Sequence, residues 1–275
     1  MTAVASSLSS FKQQGYAIFK KVYDEPTMEA MRAGLRKLNS GSADQAQWWF
    51  GNTVEHLPDL MFPQVSNPDL LNFAEQIIGP FLQLDNLTLA AFPNEGGEEV
   101  AGKVKGWHRD RWARVPDGSY HRPLAFNAIS YLQDVDDRNG PLRVIPRSHI
   151  DPITIAEDQL KDSRPDEILV YPEAGDVVFT HNGLIHSGTY NVSDDLRYFF
   201  SIFYNHCWLK HTDTHDGPNS KRIIAEARES QDHRILRLFG ADEQLQARCN
   251  WGFLTEEETK WQEWIAADEA ARGPN

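Results

Sequence analysis

His108-Arg109-Asp110 sets an imidazole and a carboxylate two residues apart, the spacing at which a β-strand turns both side chains to one face. Two such groups on one face are the beginning of a metal site. The same His-x-Asp spacing recurs at His149/Asp151 and His211/Asp213, so spacing alone does not choose among the three. Context does. His149-Ile150-Asp151 runs straight into Pro152 and reads as a turn leaving a strand, with Asp151 placed to cap the next segment. His211-Thr212-Asp213 lies in the polar run KHTDTHDGPNS, which has no apolar alternation and reads as a solvated loop. Around the first pair, period-two counting puts Val104, Gly106, His108 and Asp110 on one face and Lys105, Trp107, Arg109 and Arg111 on the other. The first face is small and apolar up to the pair. His108 and Asp110 are therefore expected to point inward, with Gly106 leaving room beside them. A carboxylate buried alone is costly, and a metal ion is a partner that offsets the cost.

Two ligands do not hold a catalytic ion tightly, so a third is expected from a distant strand. The best placed is His186 in GDVVFTHNGLIHSGTYNVSDDLR, directly after Leu184-Ile185; His181 competes, but THNG reads as a turn at a strand end. Two His and one carboxylate on one face of an ion form the facial triad of non-haem Fe(II) oxygenases. Three positions stay open, enough for a bidentate 2-oxo acid and O2. The set is a poor match for thiolate-rich structural zinc. Arg197 follows His186 and opens the apolar run LRYFFSIFY, where its planar guanidinium could grip a carboxylate bidentately or pair with Asp194 or Asp195.

The elements that must position these residues are legible in outline. DEPTMEAMRAGLRKLNSG reads as a helix with Asp24 as N-cap, Pro26 in its first turn and Met28, Met31, Leu35 and Leu38 at helical spacing. NPDLLNFAEQIIGP is a second helix stopped by Gly79-Pro80. From Phe81 the pattern becomes strand-like: FLQLDNLTLAAF, KVKGWHRD, LAFNAISYLQD, LRVIP, EILVYP, GDVVFT and LRYFFSIFYNHCW, separated by Gly/Pro/Asp turns with no helices between. That texture means antiparallel β, a sandwich or barrel. KWQEWIAADEAAR is an amphipathic helix near the C-terminus. The expectation is one domain over 1–275, helical to about residue 80, β from about 81 to 210 and helical again from about 211.

Composition narrows the partners. Lys and Arg number 27 against 40 Asp and Glu, a net charge of -13, which argues against a phosphate-binding nucleic-acid surface. No apolar run is long enough for a membrane span. The start MTAVASSLSSFKQQGYAIF lacks the pattern of a signal peptide, and Cys207 and Cys249, the two cysteines, form no metal-ligand spacing and fit buried, inert thiols in a reducing compartment. A soluble cytoplasmic protein is expected. Trp48-Trp49-Phe50 and Trp112 read as core aromatics or as an apolar wall of a pocket.

WHRD, NAISYLQDVDDRNGPLRVIPRSH and AGDVVFTHNGLIHSGTYNVSDDLR together resemble the phytanoyl-CoA dioxygenase (PhyH-like) branch of Fe(II)/2-oxoglutarate-dependent oxygenases. The middle block, similar to the family's Asn-Gly-x-Leu…Ile-Pro-x-Ser-His hairpin, is the most specific part. The likeness runs from about Trp107 to Tyr204 and loosely to both ends. It implies a mainly β protein with flanking helices, built on a double-stranded β-helix (jelly-roll, cupin-like) core with iron at one open end. It implies His108, Asp110 and His186 as Fe(II) ligands, Arg197 as the group binding the C5 carboxylate of 2-oxoglutarate, Asn127 on the strand lining that pocket, and O2 as second cosubstrate. Many members carry a hydroxyl two residues after the distal His; here that position is Gly188, with Ser187 beside it. Arg109 stands where Gln is common, and is expected to face the outer sheet or the substrate mouth. With Arg122 it belongs to a basic group, Lys103, Lys105, Arg109, Arg111, Arg114 and Arg122, that either contacts an acidic small-molecule substrate or is a solvated face. Halogenating relatives lack the carboxylate at Asp110, so its presence implies hydroxylation of a C–H bond with release of succinate and CO2. Desaturation, epimerisation and cyclisation use the same cofactors. A non-catalytic jelly-roll metal- or ligand-binding protein is the alternative from another class; four intact site residues argue against it.

Overall fold

The computed structural model describes residues 3–41, 48–250 and 257–272. Its contacts divide the chain into two compact units, Met1–Gly51 with Thr88–Phe203, and Asn52–Leu87 with Tyr204–Asn275.

The first unit carries the β-structure. Its strands are β1 (Tyr16–Phe19), β2 (Trp49–Phe50), β3 (Leu82–Phe92), β4 (Ala125–Tyr131), β5 (Leu142–Ile145), β6 (Ile168–Val170), β7 (Val177–His181), β8 (Ile185–Gly188) and β9 (Arg197–His206); β3 and β9 also contribute residues to the second unit. A six-stranded sheet has the order β1-β7-β4-β9-β3-β2, and a three-stranded sheet the order β6-β5-β8. Most neighbours are non-sequential, with β2-β3 and β5-β6 the consecutive pairs, and such crossovers between two antiparallel sheets are the mark of a jelly roll. Ile129, Tyr131 and Val178 of the larger sheet meet Leu142, Val144 and Val170 of the smaller in one buried cluster. Each fully buried aliphatic side chain there contributes roughly 1.5–3 kcal/mol, so this apolar layer is what holds the two sheets face to face. The architecture is mainly β with flanking helices around a double-stranded β-helix core.

Helix α1 (Ala3–Gln14) and helix α2 (Glu25–Ser40) flank the sheets. Asp24 caps α2 by accepting from the Thr27 N–H at 2.9 Å, and Met28, Met31 and Leu35 are buried as their spacing requires. The helical reading of the N-terminal part missed β1, which pairs with β7 from Tyr16↔Thr180 to Phe19↔Val177. Four residues are too few to show a period.

The second unit is helical: α3 (Thr53–His56), α4 (Pro58–Val65), α5 (Pro68–Ile78), α6 (Pro218–Glu229), α7 (His233–Leu238), α8 (Leu245–Cys249) and α9 (Glu257–Ala271). The buried positions of α9 include Trp261 and Asp268. Its inner face thus centres on a carboxylate held by Arg237 and Arg248 rather than on a purely apolar stripe. The third His-x-Asp pair lies here, and it is not a solvated loop. Asp213 is buried, with Oδ1 accepting from Asn52 N and Asn86 Nδ2 and Oδ2 from Leu87 N. Polar composition alone cannot separate a solvated loop from one whose carboxylates are consumed by backbone N–H groups. Cys207 and Cys249 are free and half-buried, and burial pushes the Cys207 thiol up to about 12, so it stays protonated. Among the described residues no helix is long and apolar enough to cross a membrane.

Two buried imidazoles make each unit acid-sensitive. Burial lowers His181 in the first unit to about 3 and His206 in the second to about 4. Unfolded histidines take up a proton near 6.5, so the unfolded chain binds more protons below that pH. The stability that depends on neutral His181 and His206 is present above about pH 6.5 and is lost as the pH falls towards 3 to 4. Urea midpoints should fall steadily from pH 7.5 to pH 5; a flat profile over that range would contradict these two placements.

Candidate metal and cosubstrate site

The segment carrying His108 is not the regular strand that its alternation predicts. Val104 bridges Thr189 and His108 bridges His186, both antiparallel. Four steps along one strand face three along the other, so one extra residue sits between: a β-bulge at Gly106-Trp107. Trp107 N–H leaves the ladder for the Leu160 carbonyl, and Gly106 N–H donates to the Ser187 hydroxyl at 3.0 Å. The bulge shifts the phase. Val104 and Trp107 pack together on the outer face with Ile145 and Ile185. Lys105 swings to the inner face that His108 occupies. Gly106 is not a packing requirement, since a Cβ there would meet no atom within 4 Å.

His186 lies opposite Val144 in β5, whose side chain is in the core between the sheets, so the imidazole also faces inward. The two backbones exchange both bonds, His108 N to His186 O at 3.1 Å and the reverse at 3.0 Å, which brings the rings to 4.4 Å between centroids. Each Nδ1 lies 3.0 Å from the carbonyl two residues before it, Gly106 O for His108 and Leu184 O for His186. A carbonyl only accepts, so both Nδ1 atoms carry the proton and both Nε2 atoms present lone pairs. Burial first, then His186, hold His108 below its ordinary value, which favours the neutral ligand form.

Asp110 Oδ1 is 3.9 Å from His108 Nε2 and 3.7 Å from His186 Nε2, too far for hydrogen bonds. Ligand atoms from all three residues lie within 4.8 Å of one another. Asp110 Oδ2 is buried without a partner. Two inward lone pairs and an uncompensated carboxylate oxygen fit a divalent ion of intermediate softness. Among the described residues no other group of three His, Cys, Asp or Glu side chains could hold one. His108 is 54% exposed and His186 6%, so the site opens on the His108 side.

Arg197, first in β9, is 3% exposed. Its Nη1 donates to Asn139 O, Gly140 O and Thr189 O at 2.8–2.9 Å. Its Nε is buried without a partner. The carboxylate it meets is neither Asp194 nor Asp195 but Glu95, 3.9 Å from Nη2. The Nε/Nη2 edge, the fork that takes a carboxylate bidentately, is therefore open, between the rings of Phe92 and Tyr131 at 4.8 and 5.9 Å. The Asn-Gly turn of the hairpin explains how the arginine is aimed. Gly140 has φ +90°, and a Cβ there would lie 2.6 Å from Thr189 O and 2.7 Å from Arg197 Nη1. Gly140→Ala should displace Arg197, cost about 1–3 kcal/mol and weaken 2-oxo diacid binding, read by urea unfolding and calorimetry; wild-type values for both would contradict it.

A profile of the phytanoyl-CoA dioxygenase (PhyH) family matches residues 11–199. The chain belongs to that family. It is 29% identical over 168 residues to an L-proline trans-4-hydroxylase from Streptomyces griseoviridis, a match covering 50% of this PhyH-family chain and 60% of that enzyme. Similar solved structures share the fold. The non-heme alpha-ketoglutarate-dependent epimerase SnoN from nogalamycin biosynthesis has a TM-score of 0.59 at 23% identity, over 74% of this chain and 84% of that one. HygX from Streptomyces hygroscopicus, with nickel and 2-oxoglutarate bound, has a TM-score of 0.63 at 14% identity, over 77% and 89%.

Other residues of this PhyH-family chain fall in varied places. Asn127 lies on β4 with its Oδ1 accepting from the Ser201 hydroxyl at 2.5 Å. Ser187 spends its hydroxyl on Gly106 N and Gly188 O, so it serves the bulge rather than a ligand. Arg109 faces away from the triad and donates to Gly183 O, Ser148 O and Ile153 O, tying the loop before β8 to the turn after β5. Its two donating nitrogens are spent on backbone carbonyls, which leaves the expected substrate contact without geometric support. Arg122 lines a small cleft with Trp112, His149 and His181, whose lining does not include His108, Asp110 or His186. His149 of the second pair is structural: its Nε2 donates to Lys12 O near the end of α1. Asp151 pairs with Arg147 at 2.9 Å. Trp49 and Trp112 are 50% and 45% exposed, so neither is core; Trp49 stacks on Phe199 beside Phe92. Lys105, which period-two counting puts on the opposite face, and Glu95, which the sequence does not single out, also stand at the site. Lys105 Nζ lies 2.5 Å from Glu95 and 4.3 Å from the Phe92 ring centroid. Period-two counting misplaced Lys105 because a bulge leaves no reliable mark in a single sequence.

Proposed function

We propose that the protein is an Fe(II)- and 2-oxoglutarate-dependent oxygenase that hydroxylates an aliphatic C–H bond of a small molecule. The overall conversion is C–H + 2-oxoglutarate + O2 → C–OH + succinate + CO2. The observation that carries it is the pairing of two unfilled features in one unit: the inward His108/Asp110/His186 set with its orphaned carboxylate oxygen, and the open fork of Arg197. The ion, when bound, would supply O2 activation at the electron expense of the 2-oxo acid. The residues do the rest. His108 and His186, locked as Nε2 ligands, and Asp110 would hold the ion. Arg197 would fix the cosubstrate by its far carboxylate, and Phe92, Tyr131 and Phe199 give that carboxylate an apolar surround.

Asp110 supports oxygen insertion over halogenation, and the resemblance to a proline hydroxylase supports hydroxylation of a small substrate. Structures similar to this chain hold nogalamycin RO or hygromycin B, which supports an organic small molecule. We read the chain as one oxygenase domain over 1–275, and the free thiols favour a reducing, cytoplasmic setting. Anaerobic calorimetry tests the reading: Fe(II) should bind, then 2-oxoglutarate should bind to the Fe(II)-loaded protein. Candidate substrates are then ranked by stimulated decarboxylation, and product analysis separates hydroxylation from desaturation, epimerisation and cyclisation. An Fe(II)-loaded protein that binds no 2-oxoglutarate would overturn the proposal.

A further inference from the structure

The pocket around Arg197 holds a second cation and a carboxylate of its own. Lys105 N–H pairs with Gly188 O, and its stem crosses the glycine, with Cδ 3.5 Å from where a Cβ would stand. With no side chain at Gly188, the lysine stem takes the space beside it. Its ammonium reaches the Phe92 ring that also lies under the Arg197 guanidinium. Two like charges thus flank one ring. Glu95 stands between them, with Oε1 2.5 Å from Lys105 Nζ and Oε2 3.9 Å from Arg197 Nη2. Glu95 is held at its backbone and at Oε2, which leaves Oε1 for a cation. Its N–H donates to Asn191 O at 2.8 Å and its Oε2 accepts from Asn191 N at 3.0 Å. Asn191 is itself fixed through Nδ2 to Phe92 O and Asp195 O. Glu95 and Lys105 side chains are 21% and 23% exposed, so solvent screens them only in part.

Two cations against one carboxylate leave one positive charge, and it falls on the residue with the open fork. We propose that Lys105 and Glu95 set the affinity of this pocket. Lys105 is its second cation and engages Glu95, which frees Arg197 for the far carboxylate of a 2-oxo diacid. Without Lys105, Glu95 turns to Arg197 and fills the fork itself. Lys105 therefore acts as the counter-ion of Glu95, and the pair tunes how much of the Arg197 charge is left for a diacid. The inference rests on the oxygenase reading.

The test is the Kd of 2-oxoglutarate for the Ni(II)-loaded protein, measured by calorimetry with Lys105→Met, Glu95→Gln and both together. Lys105→Met should weaken binding about tenfold or more, and Glu95→Gln should tighten it by about three- to tenfold. The double variant, with the wild-type charge balance, should return to within about threefold of wild type. A merely structural lysine gives no such rescue. Glu95→Gln keeps an acceptor for Asn191 N–H, so it remains decisive if Lys105→Met fails to fold. Unchanged affinity in Glu95→Gln, or a double variant as weak as Lys105→Met, overturns the inference alone. A wild-type protein that binds no 2-oxoglutarate overturns the oxygenase reading and this inference together.

Discussion

His108→Ala, Asp110→Ala and His186→Ala should each lower Fe(II) affinity by two orders of magnitude or more and reduce turnover to background. The size reflects the loss of a ligand outright. Losing only an outer-shell partner of a metal ligand already costs about 10–100-fold. Asp110 also brings the negative charge that two neutral imidazoles lack, so its loss should weaken the site most. The contrast is with His149→Ala. That histidine belongs to an equally spaced pair, yet its ring holds Lys12 O and lies 4.8 Å from His181. It should keep iron and lose about 1–3 kcal/mol of stability, because a buried acceptor goes unpaired. Metal titration by calorimetry, beside urea unfolding, reads both quantities. Iron lost in His149→Ala with its fold intact would mean that the His149/Asp151 pair holds the ion.

Arg237→Ala should destabilise the second unit by about 3–5 kcal/mol, the cost of leaving buried carboxylates without their cation. Arg237 is 1% exposed. Its Nη1 bonds Asp242 at 2.9 Å and its Nη2 bonds Asp268 at 2.7 Å. Arg248 grips both oxygens of Asp268, and Arg234 grips both of Glu75. Three guanidiniums thus balance three carboxylates drawn from α5, α7, α8, α9 and the turn after α7. Removing Arg237 leaves Asp242 Oδ2 without its guanidinium, with only His233 and the Gln244 N–H on Oδ1, and takes away half of the Asp268 charge balance. Arg222→Ala is the control. Its pair with Glu226 is exposed, and such pairs are worth about 0–1 kcal/mol. Equal urea midpoints for the two variants would contradict the burial assigned to Arg237.

Two of the candidate site residues stand where sequence rules still apply. His186 follows an apolar strand run, and Arg197 begins another. The hairpin block was legible as a likeness, and its physical content is now specific. Gly140 lets Arg197 reach three carbonyls, and Ser148 Oγ accepts from Ile185 N, the residue before His186. His149 anchors α1. What the sequence hid depends on non-local geometry. The bulge at Gly106-Trp107 moved Lys105 across the sheet, although the alternation around it looked regular. Asp213 looked solvated because its donors come from residues 52, 86 and 87, far away in sequence. The partners of Arg109 were hidden because backbone carbonyls leave no mark in a side-chain pattern.

The central claim is that His108, Asp110 and His186 hold an iron ion that consumes 2-oxoglutarate. Succinate formed per O2 consumed, after adding Fe(II) and 2-oxoglutarate to the wild-type protein and to His186→Ala, tests it most directly. Succinate and O2 should stand in a ratio of about one for the wild type, even without substrate at a slow uncoupled rate, with none above background for His186→Ala. Succinate formation undiminished in His186→Ala, or none in a wild-type protein with both Fe(II) and 2-oxoglutarate bound, would contradict it.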